Sequence, residues 1–114
     1  MKLYLAGPMS GITDLNFPAF HAESARLRAL GYEVVNPAEI NADPNAGWLA
    51  CMRDDIAQLV RCDGVAMLPG WQKSRGASLE HHIGSALGLL VVDAAALTGG
   101  PDVVDAPTNA RVFG

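Results

Sequence analysis

The chain has 114 residues, of which 50% are hydrophobic and 18% charged, and its formal net charge is −4. This length suits one domain, and the composition is that of an ordinary globular protein. The negative charge argues against binding a nucleic-acid polymer, which needs a basic face, but it allows one local cationic pocket. The apolar runs are too short to span a bilayer, so no membrane partner is expected.

Lys2–Ala6 is predicted to form the first strand, and the following Gly-Pro pair ends it. A loop over 7–16 follows, with glycines near both of its ends. Asn16 is placed to cap a helix that ends at Gly31.

A second short strand is predicted over 32–35, followed by a polar loop with Asn41, Asp43 and Pro44. A second helix over about 46–61 is indicated by apolar residues at helical spacing. Those residues are Trp48, Met52, Ile56 and Leu59. Residues 64–68 are predicted to form a third strand.

A third helix is predicted over about 76–88, and a fourth strand over 89–92. The apolar face of this helix is predicted to consist of Leu79, Ile83, Ala86 and Leu87. Residues 94–114 form a tail that is expected to complete the sheet or a dimer interface. Within that tail, Val103-Val104 is the one candidate strand fragment.

The alternation of strands and helices predicts an α/β domain over 1–93, with a parallel sheet and helices on both faces. We expect a small flavodoxin-like or Rossmann-like sheet in the order 2-1-3-4. Ligands of such sheets bind beyond the carboxyl ends of the strands, where the strand order reverses. The loops over 7–16 and 69–76 both emerge at that edge.

Only two cysteines are present, Cys51 and Cys62. They lie eleven residues apart on one predicted helix, roughly 16 Å at about 1.5 Å per residue, which is too far for a disulfide. With the histidines they form no metal-ligand spacing. Free thiols and the lack of a signal peptide predict a cytoplasmic protein.

Helical angles rank the acids of the second helix. With Met52 at zero, Asp55 falls near −60° and borders the apolar stripe, whereas Asp54 falls near 200° on the far side. Asp55 is therefore the acid that can face a cleft. The alternative is a structural carboxylate that pairs with Arg53 or Arg61.

On the third helix, with Leu79 at zero, Glu80 falls near +100°, at the edge of the predicted stripe. Gly84, one turn further, is expected to leave open space beside Glu80 for a ligand. The alternative is a glutamate that only complements the helix dipole.

Ser74 precedes this helix and lies between Lys73 and Arg75. A helix N-terminus with a hydroxyl and two cations suits a phosphate or a ribose hydroxyl, and the alternative is an N-cap serine with solvated neighbours. Neither G-x-x-x-x-G-K-[ST], G-x-G-x-x-G nor the G-x-S-x-G elbow is present. The glycine-bracketed turn over 7–11 is of another type, and it can still present N–H groups.

Four segments resemble the nucleoside 2-deoxyribosyltransferase-like superfamily, in particular its short phage and bacterial branch. They are "LYLAGPMSG" (3–11), "NFPAFHAESARLRALGYEVVNP" (16–37), "MRDDIAQLVRCDGVAMLPGW" (52–71) and "SRGASLEHHIGSALG" (74–88). The resemblance covers about 2–92. It implies cleavage of the N-glycosidic bond of a nucleoside or nucleotide without a metal or redox cofactor, and a homodimer or higher homo-oligomer.

The resemblance also implies residue roles. The nucleophile of the family matches Glu80, its second acid matches Asp55, and its first-strand tyrosine matches Tyr4. Six residues before the nucleophile, deoxyribosyltransferases carry an aspartate for the free 5′-hydroxyl, and nucleotide N-glycosidases carry a serine for the 5′-phosphate. The residue here is Ser74, which favours a monophosphate.

One departure concerns the first loop, where this chain has Pro8 and Ser10 in place of the serine and arginine of those hydrolases. Lys73 or Arg75 would have to supply the missing charge. The expected substrate-binding residues are Gly7, Ser10, Gly11, Lys73, Ser74, Arg75 and Gly76. Alternative functions are exchange of bases by a deoxyribosyltransferase, non-catalytic binding of a nucleotide, or a structural subunit.

Overall fold

A computed structural model describes residues 1–40 and 45–101. Its strands are β1 (Lys2–Ala6), β2 (Glu33–Val35), β3 (Gly64–Met67) and β4 (Leu90–Asp93). Its α-helices are α1 (Phe17–Ala29), α2 (Pro37–Ile40), α3 (Trp48–Leu59) and α4 (Arg75–Ala86). None of the helices in these ranges combines the length and the apolarity needed to cross a membrane.

The four strands form one parallel sheet in the order β2-β1-β3-β4. Tyr4 of β1 pairs with Val35 on one side and with Val65 on the other. The predicted α/β class and strand order are therefore confirmed. Because β1 and β3 are adjacent and their connections leave in opposite directions, a cleft forms beyond their carboxyl ends.

Alternate residues of β1 enter two separate cores. Leu3 and Leu5 pack with Phe20 and Leu27 of α1. Tyr4 and Ala6 instead belong to the core on the opposite face, whose other buried members are Leu59, Cys62, Val65, Met67 and Ala77. Helices thus cover both faces, as predicted, and the period of two along a strand places Tyr4 beneath α3 and α4.

The start of α1 differs from its prediction. Asn16 holds the N-cap position, but its side chain makes no capping bond and donates to the carbonyl oxygen of Pro8 at 2.9 Å. Asp14, Leu15 and Asn16 have φ values of 54°, 53° and 61°. An L-residue disfavours this left-handed region, so the loop before α1 is held in a costly conformation.

Residues 94–101 pack against the domain. Arg26 of α1 donates to the carbonyl oxygens of Ala94 at 2.8 Å and Leu97 at 2.7 Å. Tyr32 donates to the carbonyl oxygen of Gly99 at 3.0 Å. This part of the expected tail therefore covers α1 and adds no strand to the sheet within the described ranges. The predicted polar loop with Asn41, Asp43 and Pro44 and the predicted strand fragment Val103-Val104 lie outside those ranges.

Candidate active site

A cavity of about 1040 Å³ opens beyond the carboxyl ends of β1 and β3. The loop after β1, the start of α1, one face of α3 and the turn into α4 form its walls. Of the expected site residues, Tyr4, Gly7, Ser10, Asp55, Lys73, Ser74, Arg75, Gly76 and Glu80 line it. The fold therefore brings both predicted loops and both singled-out acids to one place.

The deepest part of the cavity contains a hydrogen-bonded pair. Tyr4 donates its hydroxyl to Oε2 of Glu80 at 2.5 Å, and the two residues are 0% and 4% exposed. Burial raises the pKa of Tyr4 far above its ordinary value, and the charges of Glu80 and Asp55 raise it further. Tyr4 therefore stays protonated and serves as a fixed donor to the carboxyl group.

Glu80 has an unusual proton affinity for a glutamate. Burial raises the pKa of Glu80 to about 8, the hydrogen bond from Tyr4 opposes this rise, and the charge of Asp55 adds to it. At neutral pH an ordinary glutamate is ionised, whereas Glu80 is mostly protonated. A carboxyl perturbed by burial and by a second acid inside a cleft is typical of catalytic sites.

Asp55 of α3 lines the same cavity as Tyr4 and Glu80. It is 6% exposed and lies on the buried face of this helix between Met52 and Leu59, whereas Asp54 is exposed. The helical angles predicted this difference between the neighbouring acids. We call Tyr4, Asp55 and Glu80 the carboxylate floor. Among the described residues, no group of three His, Cys, Asp or Glu side chains is placed to hold a metal ion.

The buried face of α4 is not the predicted one. Ala77, Glu80 and Gly84 are buried, whereas Leu79 is 36% exposed. The prediction was wrong because it followed the large apolar residues, while small residues let this helix approach the sheet. A Cβ on Gly84 would lie 2.9 Å from Cγ2 of Val65. Gly84 therefore leaves no open space, and Glu80 stands in the middle of the buried face.

The turn into α4 combines a helix cap with positive charge. Oγ of Ser74 accepts the N–H of Ala77 at 3.2 Å, so the capping role is present. The hydrogen of the Ser74 hydroxyl remains available as a donor. Lys73 and Arg75 are exposed and line the cavity. This side of the cavity therefore presents a hydroxyl and two cations.

The loop after β1 contributes mainly through its backbone. A Cβ on Gly7 would lie 2.7 Å from Cβ of Leu68, so glycine allows this loop to touch the end of the β3 segment. Ser10 is exposed and lines the cavity. Gly11 has a φ of 79° and lies outside the lining, although the sequence assigned it to the site. We call residues 9–16 and 73–75 the rim.

A family described as a domain of unknown function (DUF4406) matches residues 1–93. The chain belongs to this family. The match includes the whole sheet and every residue that lines the cavity. No curated protein matches the chain.

Solved structures share the fold of this DUF4406 domain. A 2-deoxyribosyltransferase from Bacillus psychrosaccharolyticus has a TM-score of 0.63 at 19% identity, covering 81% of this chain and 71% of its own. A 2-deoxyribosyltransferase from Leishmania mexicana has a TM-score of 0.62 at 18% identity, covering 81% and 62%. A conserved protein from Enterococcus faecalis V583 has a TM-score of 0.64 at 25% identity, covering 82% and 62%. The expected resemblance is thus confirmed for the fold, and the chain spans 62% of the length of the last two proteins.

Sequence reasoning missed the apolar wall of the cavity. Phe17 and Phe20 of α1 line it together with Trp48 and Met52 of α3. Trp48 and Met52 had been assigned to a core stripe, because periodicity shows which side chains are apolar but not whether they face a neighbour or a void. Their position at the start of a helix beside the switch point is the signal that could have found them.

Proposed function

We propose that this domain cleaves the N-glycosidic bond of a (deoxy)nucleoside 5′-monophosphate, with retention, through a glycosyl intermediate on Glu80. The observation that carries the proposal is the 2.5 Å hydrogen bond from Tyr4 to the buried Glu80 carboxyl inside a large cavity. Ligand pockets measure roughly 300–1,000 Å³, so a cavity of about 1040 Å³ accommodates a nucleotide. The fold shared with two 2-deoxyribosyltransferases supports the same chemistry.

In the first step, the proton of Glu80 passes to Asp55, and Glu80 attacks C1′ as a carboxylate. Tyr4 holds Oε2, which leaves Oε1 as the attacking oxygen. The bond between C1′ and the base nitrogen breaks, and its electron pair leaves with the base. Asp55, in its protonated form, positions the departing base and gives it a proton. The product of this step is a sugar ester of Glu80.

In the second step, water attacks C1′ from the face that the base has left. The ester bond breaks, its electron pair returns to Glu80, and the proton of the water passes to Asp55. The two inversions give net retention, and the products are a free base and a (deoxy)ribose 5-phosphate. The burial of Glu80 suits this role, because a desolvated carboxylate next to C1′ lacks competing water.

The monophosphate preference depends on the turn into α4. Ser74 stands where an aspartate would repel a phosphate, and Lys73 and Arg75 bring positive charge to the same wall. A chain of net charge −4 with two acids in its cavity requires such local charge to attract an anion.

The test is a panel of nucleosides and nucleoside monophosphates, with free base measured by chromatography. We expect base release from monophosphates, and Glu80→Gln to lower it at least about 1000-fold, since removal of a nucleophile costs this much or more. Glu33→Gln, at an exposed glutamate on β2, is the matched control. A fully active Glu80→Gln variant would refute the covalent role.

A second candidate is base exchange, which the names of the two structurally similar transferases favour. The intermediate is the same, and a second base takes the place of water. An excess of free base added to the reaction distinguishes them, because a transferase forms the new nucleoside or nucleotide and a hydrolase does not. Saturable binding without base release would instead indicate a binding module.

We also propose that the domain works as a cytoplasmic homodimer. Cys51 and Cys62 are not joined by a disulfide, as in a reducing compartment. Leu49 of α3, Leu79 of α4 and Leu87, the residue after α4, are 64%, 36% and 57% exposed, and a second copy would cover these apolar side chains. Light scattering during gel filtration tests this: we expect the mass of a dimer for the protein, and of a monomer for Leu49→Glu.

A further inference from the structure

Arg75 is held against a tryptophan at the mouth of the cavity. Its guanidinium carbon Cζ lies 3.8 Å from the centroid of the Trp48 ring. Trp48 is the first residue of α3 and Arg75 the first residue of α4, and both line the cavity. The contact therefore ties the two helices that carry Asp55 and Glu80 together at their amino ends.

The residue after Arg75 allows α3 and α4 to approach each other closely. A Cβ on Gly76 would lie 3.1 Å from Sδ of Met52 and 3.7 Å from Nε1 of Trp48. A Cβ at this position would crowd Met52 and would be in ordinary van der Waals contact with the indole. Gly76 thus allows α3 to pack closely against α4 beside the stacked guanidinium.

The stacked guanidinium keeps its charge available. Stacking uses the face of the planar group, so the N–H donors at its edge remain free for a second partner. The two ion pairs found in the described part of the chain join Arg26 to Glu23 and Arg28 to Glu39, and neither involves Arg75. Arg75 is thus a cation held against Trp48 that lines the cavity and forms no ion pair with a carboxylate of residues 1–40 or 45–101.

Arg75 lies on the same helix as Glu80, about one and a half turns before it. It lies five positions before Glu80 on one continuous helix, a rise of about 7.5 Å along the axis at 1.5 Å per residue. Ser74, one residue earlier, offers a hydroxyl hydrogen on the same side. Lys73 is exposed as well, but it lies on the short turn before the helix and outside the stack.

We infer that Arg75, positioned by Trp48, binds the 5′-phosphate of the substrate and sets the preference for monophosphates over nucleosides. Arg75 would form a two-pronged contact with the phosphate, and Ser74 would donate a third hydrogen bond. Trp48 acts through Arg75 and is a positioning residue. This inference rests on the proposed function, since it assigns the recognition of the substrate at that same site.

The kinetic test compares each monophosphate with its parent nucleoside. Hydrogen bonds to charged groups predict that Arg75→Gln lowers kcat/KM for the monophosphate about 50-fold, with little change for the nucleoside. Trp48→Leu should raise KM for the monophosphate and leave kcat unchanged, and Trp48→Tyr should restore most of the affinity because it keeps an aromatic face. Arg53→Gln, at an exposed arginine of α3 outside the lining, is the control.

A binding test separates this inference from the proposed chemistry. Ribose 5-phosphate and deoxyribose 5-phosphate are titrated calorimetrically into the Glu80→Gln protein, with and without Arg75→Gln. Loss of binding with Arg75→Gln supports the inference, even if no substrate ever releases a base. Equal losses for nucleoside and monophosphate, or a larger loss with Lys73→Gln than with Arg75→Gln, would overturn it while leaving the glycosidase assignment intact.

Discussion

The carboxylate floor and the rim of the cavity differ in how the fold holds them. Tyr4, Asp55 and Glu80 are each at most 6% exposed and are placed by a central strand and two packed helices. The rim is exposed and irregular, and it contains three consecutive left-handed residues. The floor costs stability by burying a carboxyl, and the rim costs stability through its backbone. In the proposed function, the buried floor would carry the chemistry and the exposed rim the recognition of the substrate.

The largest effect is expected for Glu80→Gln, which removes the cost in stability of burying an ionisable carboxyl in the floor. The pKa of Glu80 rises from about 4.5 in the unfolded chain to about 8 on folding. Its contribution to stability is therefore fully present below pH 4.5 and is lost as the pH rises through 8. Glu80→Gln, which is neutral at every pH, should gain about 3 kcal/mol in the free energy of unfolding at pH 7, relative to the wild type.

Urea denaturation at pH 4.5, 7 and 9 measures this gain. The difference between Glu80→Gln and the wild type should be near zero at pH 4.5 and grow with pH. Glu33→Gln, at an exposed position, should show no such trend. A difference that did not change with pH would mean that Glu80 is ionised in the folded protein.

The second largest effect is expected for Tyr4→Phe, which tests the hydrogen-bond donor of the floor. Tyr4→Phe keeps the ring but removes the hydroxyl that binds Glu80, and loss of such a preorganised donor costs about 100-fold in kcat, or about 2.7 kcal/mol. Because this hydrogen bond lowers the pKa of Glu80, its loss should raise that pKa above 8. The rising limb of the pH-rate profile should therefore move to higher pH.

The control for this variant is Tyr32→Phe. Tyr32 is also buried and also donates a hydrogen bond, but to the carbonyl oxygen of Gly99, away from the cavity. It should keep the pH-rate profile of the wild type. If Tyr4→Phe lowered the rate without moving the limb, the hydroxyl would serve the substrate rather than Glu80.

A third variant tests how α4 carries Glu80 to the floor. Gly84→Ala places a methyl group 2.9 Å from Cγ2 of Val65 and 3.2 Å from Cγ2 of Val91, on the rigid sheet. Overpacking of this kind should lower the free energy of unfolding by about 2 kcal/mol. Ser85→Ala, at the exposed neighbouring position of the same helix, should stay within about 0.5 kcal/mol of the wild type. A neutral Gly84→Ala would show that α4 has room to move.

The floor could be predicted partly from the residues and partly from the resemblance. Helical angles predicted that Asp55 and Glu80 border the apolar stripes of their helices, and the strand order predicted a ligand site at one edge of the sheet. Tyr4 was predicted only from the resemblance. The face of α4 could not be read in this way, because Ala77 and Gly84 carry little hydrophobic signal although they set the closest approach to the sheet.

The rim was predicted only as two loops. The stack of Arg75 on Trp48 joins residues 27 positions apart in sequence, and it depends on the closing of α3 on α4. The left-handed turn before α1 involves Leu15, a residue with no intrinsic preference for positive φ. Both features result from tertiary packing, so local propensity carries no signal for them.

The smallest effect is expected for Leu15→Gly, which tests how much stability the left-handed backbone of the rim costs. Leu15 has a φ of 53°, is 46% exposed and lines the cavity. Leu15→Gly removes the left-handed penalty and should raise the free energy of unfolding by about 1 kcal/mol. Ile12→Gly is the matched control, because Ile12 has an ordinary φ of −108° in the same loop and should lose stability on this change.

Unlike the gain from Glu80→Gln, the gain at Leu15 should be the same at pH 4.5 and pH 9. Leu15→Gly should also raise KM if the Leu15 side chain, which lines the cavity, packs against the bound substrate. A gain in stability with an unchanged KM would mean that the strain in the rim does not serve the binding of the substrate.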